Sequence, residues 1–243
     1  FAMERTVEQK VSARAKSALV ETPGEVIAAA IAEVEAEAGY TLTSQQRKAV
    51  RIATTSVISG IFGGAGTGKT TILRAILRVL EKRSGPCKGN EPVWQIAVSG
   101  RAAKRMHEST GGETMTVYSF LKQLEMGRLK QNHGLLIVDE ASMIDLPSAY
   151  RLLAEVPSSI AICWVGDPGQ LPPIGPGLFF HRLTTSGAVP SVELDRIHRQ
   201  SDTSSIPRVA AAVRLGRWPA VSTFDPRSPL AEGVWLAPCE QSE

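Results

Sequence analysis

The stretch GGAGTGKTT, Gly63–Thr71, puts four glycines and one lysine between an apolar run and a segment with helical spacing. Gly63 to Thr70 fits the pattern G-x-x-x-x-G-K-[ST]. Glycines let a backbone turn tightly and present N–H groups to phosphate oxygens. The helix that follows offers its positive end to the same anion. In this reading Gly64, Ala65, Gly66, Thr67, Gly68, Lys69, Thr70 and Thr71 cradle the phosphates of a nucleotide. Lys69 reaches the β- and γ-phosphates, and the Thr70 hydroxyl goes to Mg2+.

Further along, LLIVDEAS ends an apolar run in Asp139 and Glu140. An acid at such a strand end can hold Mg2+, and a neighbouring carboxylate can orient or deprotonate the attacking water. WVGDPGQLPP ends another run in Asp167 and Gln170, and Gln170 is a neutral group that can sense a γ-phosphate or position water. ELDRIHRQ carries Arg196, His198 and Arg199. An arginine on a γ-phosphate accelerates transfer by roughly 10³–10⁵-fold, and spacing alone leaves open which arginine does so. SGRAAKRMHES supplies Ser99, Arg101, Lys104, Arg105 and His107 near a strand end, where a nucleic-acid backbone can pass. Thr116 and Tyr118 add a phosphate contact and a stacking surface for a base. The plainer alternative for these basic residues is a solvated helix face.

Those groups need a scaffold that delivers them to one place. SVISGIF, WQIAVS, GLLIVDE and IAICWVGD are short, near-continuous apolar runs rich in β-branched residues, the pattern of strands buried on both faces. Helical stretches between them predict βαβ units and a mostly parallel α/β sheet with its ligand beyond the carboxyl ends of the strands. Upstream, Glu4–Gly39 reads as helix interrupted at TPGE. A further helix starts at Thr43, an N-cap with Gln46 as its capping-box partner. Downstream, IPRVAAAVRLGRWP predicts a helix stopped near Gly216, STFDPRSPL a loop, and GVWLAP one more strand.

The chain has 243 residues, 43% of them apolar, and a net charge of +3, so it can bury a core but does not by its charge announce a nucleic-acid partner. Cys87, Cys163 and Cys239 show no metal-ligand pairing. Such a sparse, odd set points to a reducing compartment, with Cys163 a small buried hydrophobe. No apolar run approaches the roughly 20 residues that span a bilayer, and no secretory leader is visible, so the expectation is a cytoplasmic protein without a membrane partner.

Taken in order, the motifs resemble those of superfamily 1B helicases of the RecD-like type. LTSQQRKAV is similar to the Q motif, GGAGTGKTT to motif I, VSGRAAKRM to motif Ia, TMTVYSFL to the next DNA-side motif, IVDEASM to motif II, VGDPGQLPP to motif III and IHRQ to motif IV. The resemblance implies a RecA-like P-loop NTPase lobe over residues 40–218, after a helical segment at 1–39 and before the start of a further region at 219–243. It implies that Gln46 reads adenine, that Lys69, Glu140, Gln170 and Arg199 are catalytic, and that Thr70 and Asp139 hold the metal. It implies Ser99, Arg101, Thr116 and Tyr118 on the DNA side, although such chains usually carry His where Tyr118 stands. ATP and Mg2+ are the implied cofactors, single-stranded DNA the implied partner, with recombination-complex or nuclease subunits possible beside it, and 5′-to-3′ the implied direction. Motifs of a second lobe are not found, so the expectation is part of a longer helicase that binds nucleotide, turns it over weakly if at all, and does not unwind alone.

Three rivals differ in what they need. A conjugative relaxase lobe needs an upstream nuclease. A nucleotide switch with a protein partner would be indifferent to single-stranded DNA. A P-loop kinase needs an acceptor site and a lid, and no lid signature is present.

Overall fold

The computed structural model describes residues 2–17, 22–84, 91–129, 133–194, 205–214, 216–225 and 234–237. The chain divides into two compact units, Phe1–Arg196 and Ile197–Glu243.

In the first unit six strands form one sheet: β1 (Ile58–Gly63), β2 (Val93–Ala97), β3 (Thr114–Thr116), β4 (Gly134–Asp139), β5 (Ile160–Gly166) and β6 (Ser191–Leu194). Their order is β3-β2-β4-β5-β1-β6 and every neighbouring pair is parallel. A parallel sheet needs both faces covered, and alternation along each strand divides the side chains between two cores. Leu135, Ile137, Cys163 and Val165 pack under α2 (Gly24–Ala38), α3 (Ser44–Thr55), α4 (Lys69–Ser84) and α5 (Gly100–Thr110). Leu136, Val138, Ile162 and Trp164 pack under α1 (Ala2–Ala15), α6 (Val117–Glu125), α7 (Leu146–Glu155) and α8 (Phe179–Thr185). Cys163 is fully buried, as expected, and burial pushes its thiol up to about 12.

The two N-terminal helices therefore lie on opposite faces of the sheet. Helix α1 is fastened by Arg14, which is 3% exposed. Its guanidinium donates to the backbone oxygen of Ile160 at 2.9 Å and to that of Val156. Burial lowers its pKa to about 10, which still leaves it charged at neutral pH. Helix α3 opens with the expected capping box: the Gln46 N–H donates to Thr43 Oγ1, and the Thr43 N–H donates to Gln46 Oε1 at 2.9 Å.

Strands β3 and β6 were not anticipated from local pattern. They are three and four residues long, too short for periodicity to register, and they exist as edge strands because Gln95–Ala97 and Gly60–Gly63 offer them open ladders. In the second unit α9 (Ile206–Arg214) is the expected helix, and Gly216 follows it at φ 66°. Strand β8 (Trp235–Leu236) lies in the expected strand. The expected loop after Val221 instead begins with β7 (Ser222–Thr223), which pairs in parallel with β8. That pairing is nonlocal, so local composition carries no trace of it.

Candidate active site

The sheet order makes β4, β5 and β1 neighbours, so their carboxyl ends form one continuous edge. Gly63 closes β1, Asp139 closes β4 and Gly166 closes β5, with Asp167 next. The loop from Gly64 to Gly68 leads into the first turn of α4, whose unpaired N–H groups face an anion by construction. Gly66 and Gly68 have φ of 81° and 86°, a region costly to side-chain-bearing residues. At Gly63 a Cβ would come within 2.8 Å of the Leu194 backbone oxygen, so backbone packs directly against the strand end. Lys69 Nζ arches over the loop and donates to the Gly63 and Gly64 oxygens, each at 2.8 Å. The Thr67 hydroxyl donates to the Gly64 oxygen at 2.9 Å. Thr70 is exposed at the start of α4 and Thr71 half-buried beside it.

Gln46 supports this loop from behind. It is 1% exposed, its Nε2 donates to the Thr67 oxygen at 3.0 Å, and its Oε1 is taken by the Thr43 N–H. Both ends of the amide are thus engaged within the protein, and what Gln46 touches here is the phosphate loop.

Burial pushes the Asp139 carboxyl above its ordinary range, and the Glu140 charge adds to the rise, while Lys69 and Arg105 oppose it. A carboxylate whose charge is penalised by burial gains from a cation beside it. With the Thr70 hydroxyl at the helix start, these residues fit a hard divalent ion that takes its remaining oxygens from phosphate and water. Among the described residues no group of three or more His, Cys, Asp or Glu could hold a metal by itself, which agrees with so sparse a protein ligand set. Glu140 has φ 53°, the only positive φ outside glycine among the described residues. Its Oε1 accepts from Arg105 of α5 at 2.8 Å. The sequence marked Arg105 as one of several basic residues, but nothing in it foretold this partner.

After β5 the backbone turns back on itself. Asp167, 2% exposed, accepts the Gly169 N–H on Oδ1 at 2.9 Å, and the Gln170 N–H donates to the Asp167 oxygen at 3.0 Å. His181 of α8 pins the Pro168 oxygen at 2.9 Å. Gln170 stands exposed on this anchored turn. Arg199, with Arg196 and His198, lies outside the described residues.

The residues expected on the DNA side line the same edge two strands away. Across the sheet Ala97 pairs with Asp139 on one side and with Thr116 on the other. Ser99 caps α5, accepting the Ala102 N–H at 3.1 Å, and Thr116 caps α6, accepting the Ser119 N–H at 3.1 Å. A hydroxyl that accepts from a cap keeps its own hydrogen to donate. Arg101 is exposed and Tyr118 is 72% exposed. An open groove of about 700 Å³ runs between α5 and β3, lined by Lys104, His107 and Thr116 among others. No helix among the described residues is long and apolar enough to cross a membrane.

Comparison with known proteins agrees with this arrangement. Residues 41–233 match the AAA domain family AAA_30. The chain is 36% identical over 164 residues to the ATP-dependent RecD2 DNA helicase of Deinococcus radiodurans, covering 65% of this chain and 22% of that protein. It is 28% identical over 198 residues to the RecBCD enzyme subunit RecD of Mycolicibacterium smegmatis, covering 71% of this chain and 35% of that one. It is 29% identical over 164 residues to the conjugal transfer protein TraA of Agrobacterium fabrum, covering 66% of this chain and 14% of that one. The aligned part is thus a minor share of each relative's length. The chain belongs to the AAA domain family, in its RecD-like superfamily 1B helicase branch.

Proposed function

We propose that this chain is the ATP-binding motor lobe of a DNA helicase, coupling Mg-ATP hydrolysis to 5′-to-3′ movement on single-stranded DNA. The observation that carries the reading is the convergence of the glycine loop, Lys69, Asp139 and Glu140 on the edge formed by β4, β5 and β1. Lys69 exchanges its two backbone oxygens for the β- and γ-phosphates, and loop N–H groups take the remaining oxygens. Thr70 and Asp139 hold magnesium, which when bound neutralises charge on the phosphates. Glu140 orients or deprotonates the attacking water, Gln170 responds to the γ-phosphate, and Arg199 stabilises charge in transfer. Ser99, Arg101, Thr116 and Tyr118 contact the nucleic acid. The direction of movement and any recombination or nuclease subunits rest on likeness to the RecD proteins. The likeness to TraA supports a second setting, a conjugative enzyme, in which the lobe performs the same chemistry.

Calorimetry tests the reading. Mg-ATP should bind the wild-type chain, and Lys69→Ala should weaken it by about tenfold or more, as loss of a charged hydrogen-bonding group implies. Glu140→Gln should bind ATP normally and abolish whatever turnover single-stranded DNA elicits. Unchanged affinity in Lys69→Ala would overturn the assignment.

A further inference from the structure

We infer that Tyr40 is the nucleobase contact of this site, its ring stacking on the purine of bound ATP; the inference rests on the reading that the phosphate loop binds ATP. Tyr40 and Thr71 share a hydrogen bond between their hydroxyls at 2.7 Å. Thr71 belongs to the first turn of α4, two residues after Lys69, so the phenol meets the protein where the phosphates end and ribose and base begin. The side chain is 39% exposed, open to a ligand on one side while held by Thr71 on the other.

The segment that carries Tyr40 is fixed before any ligand arrives. Gly39 ends α2 at φ 75°, with its N–H on the Glu35 oxygen. The Leu42 N–H donates to Glu35 Oε1 at 2.6 Å, and Arg47 bridges the same carboxylate while its Nε donates to the Leu42 oxygen. Thr43 then starts α3 through its capping box. An aromatic ring on so constrained a backbone loses little freedom on binding, which favours affinity. Gln46, the residue whose type best suits an adenine edge, has both ends of its amide committed to Thr43 and Thr67. Recognition by a ring face needs no edge donor, and it reads the purine's surface more than its exocyclic groups.

The test compares two ligands that share phosphates but not a base. ATP and inorganic tripolyphosphate, each with magnesium, are titrated against the chain by calorimetry, with displacement of a fluorescent ATP analogue where heats are small. Tyr40→Ala should weaken ATP by about tenfold to a hundredfold, the range for losing one base–aromatic stack, and leave tripolyphosphate unchanged. Tyr40→Phe, which keeps the ring and loses the bond to Thr71, should retain most of the ATP affinity, and so should Tyr40→Trp. Equal weakening of both ligands by Tyr40→Ala would mean that the residue only shapes the loop, and unchanged ATP affinity would mean that it touches no base; either overturns the inference. Lys69→Ala is the separate control: if it spares both ligands, the ATP-site reading itself fails whatever Tyr40 does.

Discussion

Gly68→Ala tests how the phosphate loop is held. Gly68 has φ 86°, and a side chain there costs about 1–2 kcal/mol from backbone sterics alone. A Cβ would also sit 2.4 Å from Gln46 Nε2. A free glutamine end would swing away, but this one is pinned at both ends and 1% exposed. Moving it breaks bonds to Thr43 and Thr67, each worth about 1 kcal/mol and more if a buried partner is left bare. The single substitution should therefore cost about 3–5 kcal/mol in all. In a Gln46→Ala background the clash is gone, and the same substitution should cost only the backbone share, about 1–2 kcal/mol. Denaturant unfolding of the two single variants, the double variant and the wild type measures that coupling. If the two effects add to within about 0.5 kcal/mol, Gln46 does not brace the loop and the reasoning fails.

Other substitutions probe the rest of the lobe. Arg14→Ala leaves the Val156 and Ile160 oxygens without their donor and should lower unfolding free energy by about 2–4 kcal/mol; a change within noise would show that α1 is not fastened there. Glu140→Asn relieves the left-handed backbone at φ 53° and loses only an ion pair whose arginine is 64% exposed. It should raise stability by up to about 1 kcal/mol while abolishing ATP turnover, a trade of strain against activity that a thermal melt and a phosphate-release assay read together. Tyr118→Ala should weaken binding of a single-stranded oligonucleotide by about 1–3 kcal/mol, and Arg101→Ala should flatten its salt dependence; fluorescence anisotropy at several salt concentrations checks both. Asp139→Asn should spare or raise the stability of the ligand-free lobe, because burial disfavours the charge it removes, and should end the magnesium dependence of nucleotide binding.

What the sequence determined by itself was local. The glycine spacing of the phosphate loop, the Thr43 capping box and the apolar runs of β1, β2, β4 and β5 are legible because each is decided by residues within a few positions of one another. A turn needs its glycines, a helix its first-turn acceptor, and a doubly covered strand its unbroken hydrophobicity. The acids Asp139 and Glu140 were legible as a strand ending. Tertiary structure decided what stands beside them. Only the strand order puts β5 between β1 and β4 and so brings the lysine loop and the acids to one edge. Strands β3 and β6 are defined by the ladders they join. Arg14 reads as a solvated charge until α1 lies against residues about 146 positions away, and Gln46 reads as an adenine contact until its amide is found bonded to Thr67. The Tyr40–Thr71 and Arg105–Glu140 contacts span 31 and 35 positions. Hydrogen bonds and desolvation act over a few ångströms of space, and which distant residues come that close is set by packing the two helical layers on the sheet, which no local stretch of sequence encodes.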